Sequence, residues 1–189
     1  MAVVERTYTA DDLVVLSHSP QYDELRLELS DGELIIMAPA SAKHGVIAMA
    51  LGAVLQVFVK QQQLGYVTAA ETGYILFKNP SGRDTVRAPD VGFIALSQLP
   101  DGLPDDGYVP FPPDLAVEVM SPNDSATETH KKVNEYLRYG TRLVWVVYPE
   151  TRTVMVFTAQ GAHTLDENAT LDGGDMLPGF KLAVKAIFG

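Results

Sequence analysis

Two carboxylates set into apolar strand patterns constrain this chain more than any other feature. The segment Pro113-Asp114-Leu115-Ala116-Val117-Glu118-Val119-Met120 is nearly continuous in apolar residues, the pattern of a strand inside a sheet, and Glu118 interrupts it. The segment Arg87-Ala88-Pro89-Asp90-Val91-Gly92-Phe93-Ile94 carries Asp90 at the head of a second apolar run. Burying a polar or charged group costs at least several kcal/mol unless something compensates it. One compensation is a divalent cation shared by both carboxylates. The other is an ion pair, and Lys132 on the following helix is the nearest partner for Glu118. For Asp90 the bland alternative is a turn residue after Pro89.

Alternation places Glu118 on one strand face with Ala116 and Met120, and Asp90 on one face with Gly92 and Ile94. The small residues Ala116 and Gly92 are expected to leave room beside each carboxylate for a ligand. In His130-Lys131-Lys132-Val133-Asn134-Glu135-Tyr136, Lys131 stands four residues before Glu135, a surface ion-pair spacing. Lys132 has the phase of Tyr136 and is expected to point towards the sheet.

The remaining signals order the chain. Thr9 with Asp12 three residues on opens a helix. Two alternating runs, Arg26 to Ser30 and Glu33 to Met37, flank Asp31-Gly32 and predict a hairpin. From Ser41 to Lys60 the period is helical, with Val46, Ile47, Ala50, Leu51, Val54, Leu55 and Phe58 as one apolar stripe. Strands are expected over Tyr66 to Ala70, Thr72 to Phe77, Val91 to Leu96 and Leu115 to Met120, with Glu71 between the first two. Ser125-Ala126-Thr127-Glu128 is a capping box and Gly140 a helix stop. Leu143 to Tyr148 and Thr153 to Thr158 form a second hairpin, and the tail from Leu177 to Phe188 is expected to pack back on the body. This order predicts an α/β (α+β) fold in a single domain over residues 1–189.

With 47% hydrophobic and 20% charged residues among 189, the chain can bury a core. No uninterrupted apolar run reaches the roughly 18 residues of a membrane span, so no membrane partner is expected. Met1 to Tyr8 lacks the apolar core of a signal peptide. Cysteine is absent, which excludes disulfides and thiolate metal sites and fits a cytoplasmic protein. The formal charge of −10 argues against a general nucleic-acid coat protein, so any nucleic-acid contact must use a local basic face. Lys43, Lys78, Arg83, Arg87, Lys131 and Arg138 bracket the two carboxylates and are the candidates for it.

An ordered set of segments resembles the Uma2 family of the PD-(D/E)XK nuclease superfamily. They are Asp31-Gly32-Glu33-Leu34, His44 at the head of a helix, Glu71 before a strand, Pro89-Asp90-Val91, and Pro113 to Val119. Then come Ser121-Pro122, Lys132 with Tyr136 and Gly140, and Val144-Trp145-Val146-Val147 before a Pro-Glu turn. The resemblance implies a restriction-endonuclease-like core, a mixed sheet flanked by helices, here with an N-terminal hairpin extension. It implies catalysis by Asp90, Glu118 and Lys132, with Glu71 and His44 as secondary candidates. It further implies Mg²⁺ or Mn²⁺ held by Asp90, Glu118 and the main-chain carbonyl of Val119. The superfamily lysine two residues after the second acid is replaced here by Met120, and Lys132 on the helix takes its role. The implied activity is metal-dependent endonucleolytic hydrolysis of nucleic acid, DNA foremost, by a possible homodimer. Two other readings follow from the residues. One is a non-catalytic nucleic-acid or protein interaction module on a nuclease fold. The other is a hydrolase using the two carboxylates as acid and base on a different substrate.

Overall fold

The computed structural model describes residues 6–100, 102–122 and 124–189. In chain order the regular elements are α1 (Ala10–Ser17), β1 (Arg26–Ser30), β2 (Glu33–Met37), α2 (Ala42–Gln61), β3 (Gly65–Ala69), β4 (Tyr74–Phe77), β5 (Thr85–Arg87) and β6 (Val91–Ala95). They continue with β7 (Leu115–Val119), α3 (Ala126–Tyr139), β8 (Leu143–Tyr148), β9 (Thr153–Thr158), β10 (Gly161–Leu165), β11 (Thr170–Asp172) and β12 (Lys181–Ala183). A six-stranded mixed sheet has the order β10-β9-β8-β7-β6-β3. A four-stranded antiparallel sheet has the order β2-β1-β5-β4, and β11 pairs with β12.

Only β7 and β8 are parallel, and α3 is the crossover between them. Their apolar run has to be covered on both faces. On one face Phe93, Val117, Val119, Trp145 and Val147 pack beneath Ile47, Leu51, Leu55 and Val59 of α2. On the other, Ile94, Ala116, Val144 and Val146 meet Val133 and Tyr136 of α3 and Tyr74 of β4. Each fully buried leucine of α2 contributes about 1.5–3 kcal/mol relative to exposure. The C-terminal segment closes the first layer with Leu177, Phe180, Val184 and Ile187.

Local chemistry sets the boundaries. The β1–β2 hairpin keeps the expected register, Leu29 opposite Leu34, because Asp31 and Gly32 both take positive φ in a tight turn (51° and 79°). Thr9 and Asp12 form a complete capping box at α1. At α3 only the Ser125 half of the expected box forms, and Gly140 ends the helix at φ 117°.

One expectation changes. The stripe on α2 is narrower than its sequence pattern: Ile47, Leu51, Leu55 and Val59 are buried, whereas Val46 is 70% exposed and Val54 is also exposed. A helix over one sheet layer buries a narrow stripe, and nothing among the described residues packs on its outer side. By length and composition α2 could cross a membrane, with mean hydropathy 1.6 over its 18-residue window. The core helix of a domain can have the same length and composition, and here the buried stripe of α2 covers the sheet. The strands β3 and β4 do not pair. Glu71, at φ 75°, turns the chain between them, so they enter different sheets.

The space expected beside Asp90 at Gly92 is occupied. A Cβ there would lie 2.4 Å from the Tyr74 hydroxyl and 2.7 Å from Thr68 Oγ1. Those two oxygens share a hydrogen bond of 2.6 Å. Gly92→Ala is therefore expected to cost about 1–3 kcal/mol by overpacking, read as a lower urea midpoint with an unchanged slope.

Candidate active site

The antiparallel register of β6 and β7 sets Val91 opposite Val117 and Gly92 opposite Ala116. Asp90 stands at the end of this ladder, its N–H donating to the Val117 carbonyl, and Glu118 follows Val117 on β7. Glu118 is met by Lys132 and Tyr136 of α3, whereas Asp90 is met by His44 of α2 and Arg26 of β1, and the two carboxylates are near enough for the charge of Asp90 to act on Glu118. Asp90 stands just before β6 rather than inside it.

Each carboxylate is held by its own partners. Asp90 Oδ2 accepts from the Val119 N–H at 2.8 Å and from His44 Nε2 at 3.0 Å, and Oδ1 accepts from Arg26 Nη1 at 3.2 Å. Glu118 accepts from the Tyr136 hydroxyl at 2.8 Å and from Lys132 Nζ at 2.9–3.0 Å. Lys132 also pairs with Glu28 at 2.9 Å. Lys132 therefore points to the sheet, as its phase predicts, and the ion pair weighed as the bland account of Glu118 is present. The main chain of Val119 runs past Asp90, its N–H on the carboxylate. His44 is buried at the first turn of α2, where its side chain can reach Asp90. Glu71 is exposed and borders the cleft beside Asp90, with no contact to either carboxylate.

Sequence reasoning missed the other half of the arrangement. Glu28 is buried on β1 and accepts from the Ala88 N–H at 2.9 Å, from Arg87 Nη1 at 2.9 Å and from Lys132. Arg87 is 3% exposed and also binds Glu135, which accepts from Ser30. Arg87 is thus a buried strut, not the phosphate contact expected from its sequence position. Arg26, Glu28 and Ser30 alternate along β1 and project three successive rungs into a charge ladder under α3. Their alternation was the available signal, but it reads equally as a solvent face.

The permanent charges of the ladder are unequal. Glu28, Asp90, Glu118 and Glu135 face the permanent cations Arg26, Arg87 and Lys132. Burial alone raises a carboxyl pKa. At Asp90 the His44 hydrogen bond and charge, the Val119 N–H and Lys132 outweigh burial and hold the carboxyl below its ordinary value. At Glu28, Lys132 and Arg87 do the same. At Glu118 burial wins: with Asp90 and Glu28 nearby, the carboxyl is pushed up to about 7 despite Lys132. The hydrogen bond to Asp90 raises His44. Burial lowers Lys132, but Glu118 and Glu28 more than reverse this.

The donor set fits a hard divalent cation. Asp90 and Glu118 offer carboxylate oxygens, and the four acids of the ladder face three permanent cations and the titratable His44. Among the described residues no group of three His, Asp or Glu side chains forms a complete metal site. An ion here would need main-chain oxygen and water as well, which is the usual manner of Mg²⁺. A cleft of about 640 Å³ between α2 and β3 reaches Asp90, His44 and Arg26, walled on the helix by Gly45, Ala48, Gly52 and Ala53.

This architecture has a solved counterpart. The crystal structure at 1.96 Å of "a putative nuclease belonging to DUF820 from Anabaena variabilis ATCC 29413" superposes with a TM-score of 0.78. It covers 95% of this chain and 97% of its own, at 23% identity, and at that identity the likeness carries the fold. No curated protein matches the chain. The profile of the Uma2 family, described as "Putative restriction endonuclease", matches residues 12–185. With nearly the whole fold inside that match, the chain belongs to the Uma2 family.

Proposed function

We propose that this protein is a metal-dependent endonuclease, with Asp90 and Glu118 as the carboxylates that hold the cation. The observation that carries this reading is the neighbouring pair Asp90 and Glu118 in a buried ladder whose four carboxylates face three permanent cations and the titratable His44. Mg²⁺ or Mn²⁺, held by these two side chains with the Val119 carbonyl, would supply Lewis-acid polarisation of the phosphoryl group and a more acidic bound water.

The chain's own residues do the positioning. Tyr136 and Lys132 fix the Glu118 carboxylate from two directions. Glu28 anchors Lys132 from the opposite side, so its ammonium is held where charge develops on a phosphodiester and where a water can be oriented. His44 orients Asp90 through Nε2. Arg26 faces the cleft, and its Nε, buried without a protein acceptor, is a donor suited to a phosphate oxygen.

The test is cleavage of supercoiled plasmid, single-stranded and duplex oligonucleotides and RNA, each with Mg²⁺, Mn²⁺ or EDTA. The expected result is metal-dependent nicking, reduced at least 100-fold in Asp90→Ala and in Glu118→Ala. Activity that survives either change would assign the cleavage to another site or a contaminant. Stable binding without cleavage of any substrate would favour the non-catalytic module.

A further inference from the structure

A second cavity, of about 1250 Å³, does not open at Asp90. It lies between the Asp31-Gly32 turn and the outer face of α3. That exceeds the roughly 300–1,000 Å³ typical of a small-molecule pocket, so it has room for a larger ligand. Lys131, Asn134 and Arg138, at i, i+3 and i+7 on α3, form one wall. Arg83 and Arg6 also line it.

Its aromatic residues are arranged as flat surfaces beside cations. Phe77 and Tyr139 stack with centroids 5.0 Å apart and planes 6° from parallel. The Arg138 guanidinium lies 5.4 Å from the Tyr139 ring, and Arg6 lies 4.8 Å from that of Tyr8. Phe77 is 38% exposed, so the stack is not closed into the core. The acids of the groove are Asp31, 2.8 Å from Arg83, Glu33, 3.7 Å from Lys131, and Glu135, turned inward onto Arg87 and Ser30. Among the described residues no carboxylate pairs with Arg138. Exposed pairs such as Lys131–Glu33 are weak enough for a phosphate to displace the carboxylate. In a chain of net charge −10, this groove gathers four cations around the partly exposed Phe77–Tyr139 stack.

We propose that this groove binds single-stranded nucleic acid, its phosphates on Arg83, Lys131 and Arg138 and its bases against Phe77 and Tyr139. Unpaired bases offer faces for stacking, whereas a duplex keeps them covered. The groove is distinct from the Asp90 cleft. Arg26 borders that cleft and Ser30 borders the groove, four residues on along β1, roughly 13 Å at about 3.3 Å per residue. The proposal takes its class of partner from the nuclease reading but needs neither metal nor cleavage.

The experiment is fluorescence anisotropy in EDTA at low salt, with labelled dT15, rU15 and a 15-base-pair duplex. The wild type is expected to bind dT15 or rU15 at least ten-fold more tightly than the duplex. Lys131→Glu with Arg138→Glu should weaken that binding ten-fold or more and lower the log–log salt slope by about 1.4, at about 0.7 per phosphate. Phe77→Ala should weaken it five-fold or more with the slope unchanged, and melting curves check that each variant folds. Binding of these variants at the wild-type level, duplex bound as tightly as dT15, or no binding of either single strand would each overturn the proposal. Plasmid cleavage is measured in parallel. Wild-type cleavage with unaltered binding in the groove variants sinks the groove and leaves the nuclease reading. The expected binding pattern without cleavage does the reverse.

Discussion

Replacing Arg87 by methionine is expected to lower the unfolding free energy by about 3–5 kcal/mol, the cost of leaving buried charges without their partner. Arg87 lies between Glu28 and Glu135 at 2.9 and 2.6 Å and is nearly inaccessible to water. Its removal leaves the Glu28 carboxylate, 1% exposed, with Lys132 as its remaining cation, takes the cation from Glu135, and frees the link that ties β1 and β5 to α3. For a chain of this size the loss corresponds to roughly 6–20 °C in Tm. Arg87→Lys should recover only part of it, because an ammonium cannot match the planar fork that serves both acids. The triple change Arg87→Met, Glu28→Gln, Glu135→Gln should recover more, since it removes the stranded charges as well. A melting temperature within 2 °C of wild type for Arg87→Met would contradict the ladder described here.

What was legible in the sequence was local. The Asp31-Gly32 turn carries its own conformational signal, so the hairpin register follows from a few residues. The strands Leu143–Tyr148 and Thr153–Thr158 have both ends where their apolar patterns end. Asp90, Glu118 and Lys132 stood out because each breaks a pattern. What was hidden depends on contacts between distant segments. Glu28 alternates with Leu27 and Leu29 like any solvent-facing strand residue, and only α3, about a hundred residues later, converts its side into an interior. Arg87 looked like a surface base because β5 has three residues and no pattern of its own. The gap at Gly92 looked like room for a ligand until Tyr74, from the other sheet, filled it. Burial, and with it the sign of each pKa shift, is a property of the assembled layers and has no one-dimensional signature.

Glu118→Gln should separate stability from function most sharply. Glutamine has the shape and charge of the protonated carboxyl. In the fold Glu118 titrates near 7, against 4.5 for an ordinary glutamate, because burial, Asp90 and Glu28 disfavour its charge more than Lys132 favours it. A carboxyl raised in the folded state contributes full stability below its unfolded pKa, and that contribution is lost as pH rises through the folded value. Wild type and variant should therefore differ little near pH 4.5. Through the window from about 4.5 to 7 the wild type alone loses stability, and by pH 8 the variant should be the more stable by about 1–3 kcal/mol. At the same time the variant lacks a charged oxygen donor, so cleavage should fall at least 100-fold. Added Mg²⁺ at pH 8 should raise the wild-type Tm, by about 2.7 kcal/mol of stability at a hundred times Kd, and leave the variant unmoved. Thermal melts at pH 5 and 8, with EDTA or Mg²⁺, read all of these effects. A variant less stable than wild type at pH 8 would mean that Lys132 already balances the ionised carboxylate and the site has no charge deficit for a cation to fill. Equal Mg²⁺ shifts in both proteins would place the ion elsewhere.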